Sequence, residues 1–230
     1  MQSIEDKELG QIRIVRNVRA RNVIARNKQG YIQLTVPVYF SDKQLWDILD
    51  KMRPRLLKMP IKPLVEFTPE SDFKTATFSL TIESKNVRNY YAQLHDGVLC
   101  ITCPGIEDFS DAKVQSTIRN CIEQTMRVEA NRVFPGMLKE LAERHGFTYT
   151  SLKINKSRTR WGSCSSKKAI NLSYFCLLLP QYLIEFIILH ELCHTIEMNH
   201  GQRFWQLLDG VTGNKARELT QELKVKAAQW

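Results

Sequence analysis

The sequence predicts an α+β protein in which a β-rich N-terminal half, residues 1–109, precedes a helical half, residues 110–230, that carries a His-Glu-x-x-His helix. Three observations lead there. Between Ile12 and Cys103, short apolar runs alternate with polar neighbours at the period of a strand and are broken by turn residues. From Ser110 onward, apolar residues recur at helical spacing. Around the two histidines, Leu183, Ile184, Ile187, Ile188, Leu189 and Ile196 cover every side of a helix, so that helix is expected to be buried. A chain of 230 residues is expected to form one globular unit with two distinguishable halves, with the seam at Asp108–Asp111.

In chain order, Ile12 to Val36 reads as strands, with Ile32, Leu34 and Val36 alternating after a turn at Asn27 to Gly30. Ser41 is placed to cap a short helix carrying Leu45, Ile48, Leu49 and Met52, which Pro54 should limit or kink. Strands follow at Leu64–Phe67, Ala76–Glu83, Tyr90–Leu94 and Val98–Cys103, the last two joined by a hairpin turn at His95-Asp96-Gly97. Ser110 and Asp111 open a long helix with Val114, Ile118, Cys121, Thr125 and Val128 at helical spacing. Pro135 and Gly136 should kink or split it, and Gly146 ends it. A strand at Ser151–Lys156, a polar stretch at Ser157–Lys168 and a strand at Ala169–Ser173 come next, and Pro180 sits at the first turn of the following helix.

Hydrophobic residues make up 43% and charged residues 25% of the chain, an ordinary globular composition that excludes a disordered or collagen-like protein. Met1–Gly10 carries Glu5, Asp6 and Glu8 and no apolar core, so neither a signal peptide nor a lipidation motif is read there. The longest apolar stretch, Phe175–Leu189, is interrupted by Pro180, Gln181 and Glu185 and falls short of the roughly 20 residues that span a bilayer. With no export signal, Cys100, Cys103, Cys121, Cys164, Cys176 and Cys193 read as reduced thiols, and a cytoplasmic location with no membrane partner is expected. The net charge of +9 favours anionic partners. Arg13, Arg16, Arg19, Arg21, Arg26 and Lys28 crowd one segment, where strand spacing would put Arg19 and Arg21 on one face; this is either a solvated strand face or a surface for nucleic acid or another polyanion.

The chemistry concentrates in Ile188-Leu189-His190-Glu191-Leu192-Cys193-His194-Thr195-Ile196-Glu197-Met198-Asn199-His200-Gly201. Residues four apart on a helix lie about 40° apart around its axis, so His190 and His194 stand one turn apart on one face and can share a tetrahedral metal. Glu191, about 100° round from His190, is placed to reach a water rather than the metal, the position of a general base. An open zinc site needs a third protein ligand. His200 is preferred, because Asn199 and Gly201 give the chain a flexible exit and three of the five histidines cluster here. Glu197, seven residues past His190 and back on the same face, is the rival, either as ligand or as a partner that orients a ligand histidine. Two histidines and a glutamate on a buried helix would be costly without a metal or other partners.

From Lys153 to Leu208 the chain resembles the YgjP-like metallopeptidase domain, a bacterial zincin group related to SprT-like proteins. The resemblance rests on Arg160-Trp161-Gly162-Ser163-Cys164-Ser165, Leu179-Pro180, His190-Glu191-Leu192-Cys193-His194, Asn199-His200 and Phe204-Trp205, in that order and at that spacing. It implies a zincin-like C-terminal half, a zinc ion on His190, His194 and His200, and Glu191 as catalytic base. The spacing is also similar to that of metzincins, but Glu197 stands where they use a glycine, so no metzincin site is carried over.

The expected function is therefore a zinc-dependent hydrolase of metallopeptidase type acting on a peptide or protein substrate. There are two alternatives: hydrolysis of a phosphoanhydride or nucleotide by the same zinc-bound water, and a nucleic-acid-binding module whose working surface is the basic N-terminal strands and whose zinc is structural. Arg160 and Trp161 are candidates for substrate binding, against a reading in which Trp161 packs under the metal helix and Arg160 pairs with a local carboxylate. Cys164 as a fourth ligand would close the site. Cys100 and Cys103 form a CxxC within a strand, where residues three apart point to opposite faces, and read as buried thiols. Phe204 and Trp205 are expected to pack on the metal helix and hold the third ligand.

Overall fold

The computed structural model describes residues 2–28, 31–57, 65–105 and 108–228, which divide into two compact units, Met1–Val65 and Glu66–Trp230. Among the described residues there are five α-helices and three small mixed sheets, an α+β architecture. None of these helices is long and apolar enough to cross a membrane.

In the first unit, β1 (Gln2–Asp6), β2 (Gly10–Asn17), β3 (Ile24–Lys28) and β4 (Tyr31–Pro37) form one sheet in the order β1-β2-β4-β3, with β2 and β4 parallel. Ile12 and Ile14 lie opposite Ile32 and Leu34, and with Val36 they point to the face covered by Leu45, Leu49 and Leu56 of α1 (Asp42–Leu57). Period-two alternation in the strands and helical spacing in α1 thus meet in one small core. Ser41 and Gln44 close a reciprocal cap at the start of α1, each backbone N–H donating to the other's side chain at 2.9 and 3.3 Å. Pro54 lies inside α1, which continues through it to Leu57.

The basic segment differs from expectation. β2 stops at Asn17, whose side-chain oxygen accepts from the Arg19 N–H at 2.8 Å and whose carbonyl accepts from Ala20 at 3.1 Å. Arg19 and Arg21 therefore sit in a turn and share no strand face, because the asparagine side chain offers the backbone a local partner in place of a sheet ladder. Arg16 pairs with Asp42 at 2.8 Å, and Arg13 stacks on Tyr31 at 4.0 Å. The expected turn at Asn27–Gly30 runs into positions 29 and 30, outside the described residues.

In the second unit, β5 (Ser79–Lys85), β6 (Tyr91–His95) and β7 (Val98–Pro104) form a sheet ordered β5-β7-β6. The β6–β7 turn is Asp96-Gly97, both with positive φ (47° and 74°), as a two-residue hairpin requires. Val65–Thr68 forms no strand, and position 64 lies outside the described residues. Instead Gln115, itself buried, donates to the Phe67 and Phe109 carbonyls at 2.8 Å and accepts from the Phe67 N–H at 2.9 Å.

The long helix α2 (Ala112–His145) begins on Asp111, whose carboxylate accepts from Lys113 and Val114, and ends on Gly146 at φ 71°. Pro135 lies within it without splitting it. The buried stripe runs Val114, Ile118, Ile122, Met126, Ala130, Phe134, Leu138, steps of four that carry it across Pro135, whereas Val128, expected on that stripe, is 66% exposed. Leu99, Ile101 and Cys103 of β7 share one core with Ile118, Ile122 and Phe134. The strands of residues 79–104 therefore lie with the helices, and the division falls between Val65 and Glu66 rather than at Asp108–Asp111.

A third sheet, β8 (Ser151–Asn155), β9 (Gly162–Cys164) and β10 (Ala169–Ser173), has β10 at its centre, parallel to β8 and antiparallel to β9. A 3-10 turn, Tyr174–Leu178, leads to α3 (Gln181–Cys193), which is buried on nearly every side, followed by α4 (Gln202–Thr212) and α5 (Ala216–Ala228).

Gln115→Leu is expected to destabilise the protein by about 2–4 kcal/mol, since it strands the buried Phe67 N–H and two carbonyls. Ser116→Ala, exposed one residue on, should stay within about 0.5 kcal/mol. Chemical denaturation of the two variants checks this, and equal midpoints would contradict it.

Candidate metal centre

Helix α3 delivers His190 in its last turn and ends on His194, the capping residue, which keeps helical dihedrals (φ −66°, ψ −15°). The chain then tightens, with Ile196 and Glu197 donating to the Cys193 carbonyl at 3.0 and 2.9 Å, and returns through Asn199 to His200 just ahead of α4. This hairpin of chain brings the Nε2 atoms of the three imidazoles together. The separations are 3.2 Å for His190–His194, 3.2 Å for His194–His200 and 3.1 Å for His190–His200.

Hydrogen bonding among the three cannot account for that triangle. Each Nε2 is either a donor or an acceptor, so with three such atoms at least one pair must face with like character. At His194 the choice is fixed: Nδ1 lies 3.0 Å from the Glu197 carbonyl, which only accepts, so Nδ1 carries the proton and Nε2 of the neutral ring presents its lone pair inward. Donors 2.0–2.1 Å from a tetrahedral ion stand about 3.3–3.4 Å apart, close to the spacing here, so the three residues fit a zinc-sized cation. Burial and the other two rings hold His190 largely unprotonated down to about 3, and burial lowers His194 as well. Both are in the ligating form at neutral pH.

Two aromatic residues on α4 fix the cluster. The fully buried Phe204 ring touches all three imidazoles, with centroids 4.5, 4.9 and 4.7 Å from His194, His190 and His200. Trp205 Nε1 donates to the His200 carbonyl at 3.1 Å, and the Arg217 guanidinium lies 3.6 Å over the Trp205 ring.

Glu197 supports the site through its backbone carbonyl, and among the described residues its carboxylate is not part of the cluster. Cys164 also stands outside it. Burial raises the thiols of Cys164, Cys176 and Cys193, the last to about 12, so they stay protonated.

Glu191 is 6% exposed, and its Oε2 has no hydrogen-bond partner; burial pushes its carboxyl up to about 8. Together with His190 it lines a cleft of about 240 Å³ walled by Arg160, Trp161, Gly162 and Phe186. Gly162, in β9, lies so close that an added Cβ would stand 2.7 Å from Glu191 Cγ and Oε1. Glycine is required here by contact rather than by backbone dihedral, a role that sequence periodicity does not reveal. Arg160 reaches the cleft and forms no ion pair among the described residues, while Trp161 both packs on the core and lines the cleft.

These shifts oppose each other in metal-free protein. Glu191 keeps its proton from the ordinary 4.5 to about 8, so the folded chain binds the extra proton there and loses stability as pH rises through that window. His190 is held neutral from 6.5 down to about 3, so the unfolded chain binds the extra proton there and stability falls as pH drops. Glu191→Gln removes only the first effect. Melting in chelator should show this variant more stable than wild type at pH 8, by at most about 5 kcal/mol, and indistinguishable at pH 4. Equal melting at both pH values would contradict the burial argument.

Comparison with known proteins adds a family. No curated protein matches the chain. Among solved structures it is similar to the metallopeptidase zymogen abylysin of Pyrococcus abyssi, with a TM-score of 0.37, 22% identity, and coverage of 40% of this chain and 92% of that one. The corresponding figures for the metallopeptidase zymogen jannalysin of Methanocaldococcus jannaschii are 0.36, 22%, 40% and 94%. The model of the YgjP-like metallopeptidase domain matches residues 21–226, nearly the whole chain and both of its units, and so the chain belongs to the YgjP-like metallopeptidase domain family.

Proposed function

We propose that the protein is a zinc-dependent hydrolase of metallopeptidase type that cleaves peptide bonds, with Glu191 as general base. The observation that carries this reading is the triangle of three Nε2 atoms at 3.1–3.2 Å, beside a buried carboxylate with an unpartnered oxygen in the same cleft. His190, His194 and His200 would hold the ion. Zinc bound in this way supplies Lewis acidity and lowers the pKa of a water towards about 7.

The remaining work falls to the chain's own residues. Glu191 lines the same cleft as His190, which places it to take a proton from a water bound there and return it to a leaving amine. Its free Oε2 is the atom available for that transfer. Gly162, having no Cβ, leaves the space that the carboxylate occupies. Arg160 and Trp161, at the mouth of the cleft, are placed to bind the substrate, the arginine through its donors and the indole through its face. Phe204 excludes water from beneath the imidazoles.

Purified protein reconstituted with zinc is expected to bind close to one equivalent, and His200→Ala to lose most of it; retention of less than about half an equivalent by the wild type would sink the proposal. Glu191→Gln should keep its zinc while turnover of unfolded polypeptide substrates falls by about 100-fold or more. Undiminished turnover in that variant would remove Glu191 from the chemistry. Turnover of pyrophosphate-bond substrates but no polypeptide would replace the peptidase reading.

Gly162→Ala supplies an independent check on positioning. Its methyl group must displace the Glu191 carboxylate, so zinc content should persist while turnover falls with it, as in Glu191→Gln. Wild-type turnover in this variant would show that the close contact has no bearing on the base.

A further inference from the structure

A second cleft, of about 410 Å³, opens in the same unit between α2 and β8, and it shares no lining residue with the metal cleft. One wall is the α2 face bearing Asn120, Glu123, Gln124 and Arg127; the other carries Lys153, Asn155 and Lys156. Among the described residues its only lining carboxylate is Glu123, which is already engaged: Arg158 pairs with it, Lys156 lies 3.6 Å away, and the Tyr174 hydroxyl donates to it at 3.0 Å. Arg127 and Lys153 form no ion pair among the described residues and are exposed. Cations thus outnumber carboxylates around the cleft.

We propose that this cleft binds the phosphodiester backbone of nucleic acid. Exposed ammonium and guanidinium groups facing uncharged amides suit phosphate and sugar oxygens. A free nucleotide would also need a surface for its base. Among the described residues the only aromatic ring lining the cleft, Tyr174, is 4% exposed and is turned to Glu123 by its hydroxyl, so it offers no stacking face. The contacts available are therefore backbone contacts, without sequence preference. The site differs from the basic turn of Arg19 and Arg21, which lies in the other unit.

The test uses the full chain and a fluorescent oligodeoxythymidine of about 20 nucleotides, titrated at several salt concentrations. Arg127→Ala/Lys153→Ala/Lys156→Ala should weaken binding about tenfold or more at low salt and reduce the slope of log affinity against log salt by about 2. Glu123→Gln should tighten binding, because it releases Arg158 and Lys156 while leaving Tyr174 an oxygen to donate to; loss of structure would not produce that sign. Arg19→Ala/Arg21→Ala should bind as the wild type does. No binding by the wild type at low salt, or a triple variant that binds normally, would overturn the proposal. Displacement by inorganic triphosphate as effective as by unlabelled oligonucleotide, at equal phosphate, would reassign the site to short polyphosphates and overturn the strand proposal.

Discussion

Three imidazole nitrogens held within 3.2 Å of one another have no way to satisfy each other by hydrogen bonding alone, and the second unit is organised around that constraint. The histidines come from the last turn of α3, its capping position and the return loop, so they converge only if α3 ends at Cys193 and the chain doubles back at once. The backbone bonds to the Cys193 carbonyl make that reversal, and the Glu197 carbonyl orients His194 as it passes. Buried Phe204 then fills the space that would otherwise let the rings separate.

The same burial that shapes the histidines sets the character of Glu191. Packed under β9 with one oxygen unpartnered, it is desolvated without a cation to compensate, and its carboxyl rises accordingly. The contact with Gly162 links a three-residue strand to the metal helix, so the short β9–β10 pairing positions the carboxylate as well as completing a sheet. That explains why a helix so fully apolar elsewhere tolerates a buried acid: its placement serves the cleft.

Both clefts lie in the unit that begins at Glu66, and they draw on different properties of it. The metal cleft is small, apolar-walled and built on α3, where desolvation governs protonation. The α2–β8 cleft is larger, polar and cationic, where exposed charge governs attraction. One face of α2 lines the second cleft, while the stripe from Val114 to Leu138 on another carries the core.

Local sequence determined what depends on near neighbours. Period-two alternation marked β2 and β4, Asp96-Gly97 the hairpin, Asp111 and Gly146 the ends of α2, and spacing of four the pairing of His190 with His194. Tertiary structure decided what depends on residues distant in the chain. It brought the His200 imidazole, and not the Glu197 carboxylate, to the other two histidines, since a loop's return path is not periodic; it gave Glu197 a backbone role and Gly162 a steric one. It joined β5–β7 to the helices, because a shared core across α2 leaves no trace in local composition. It also moved Arg19 and Arg21 off a strand face, with the Asn17 side chain taking the Arg19 N–H in place of a sheet ladder.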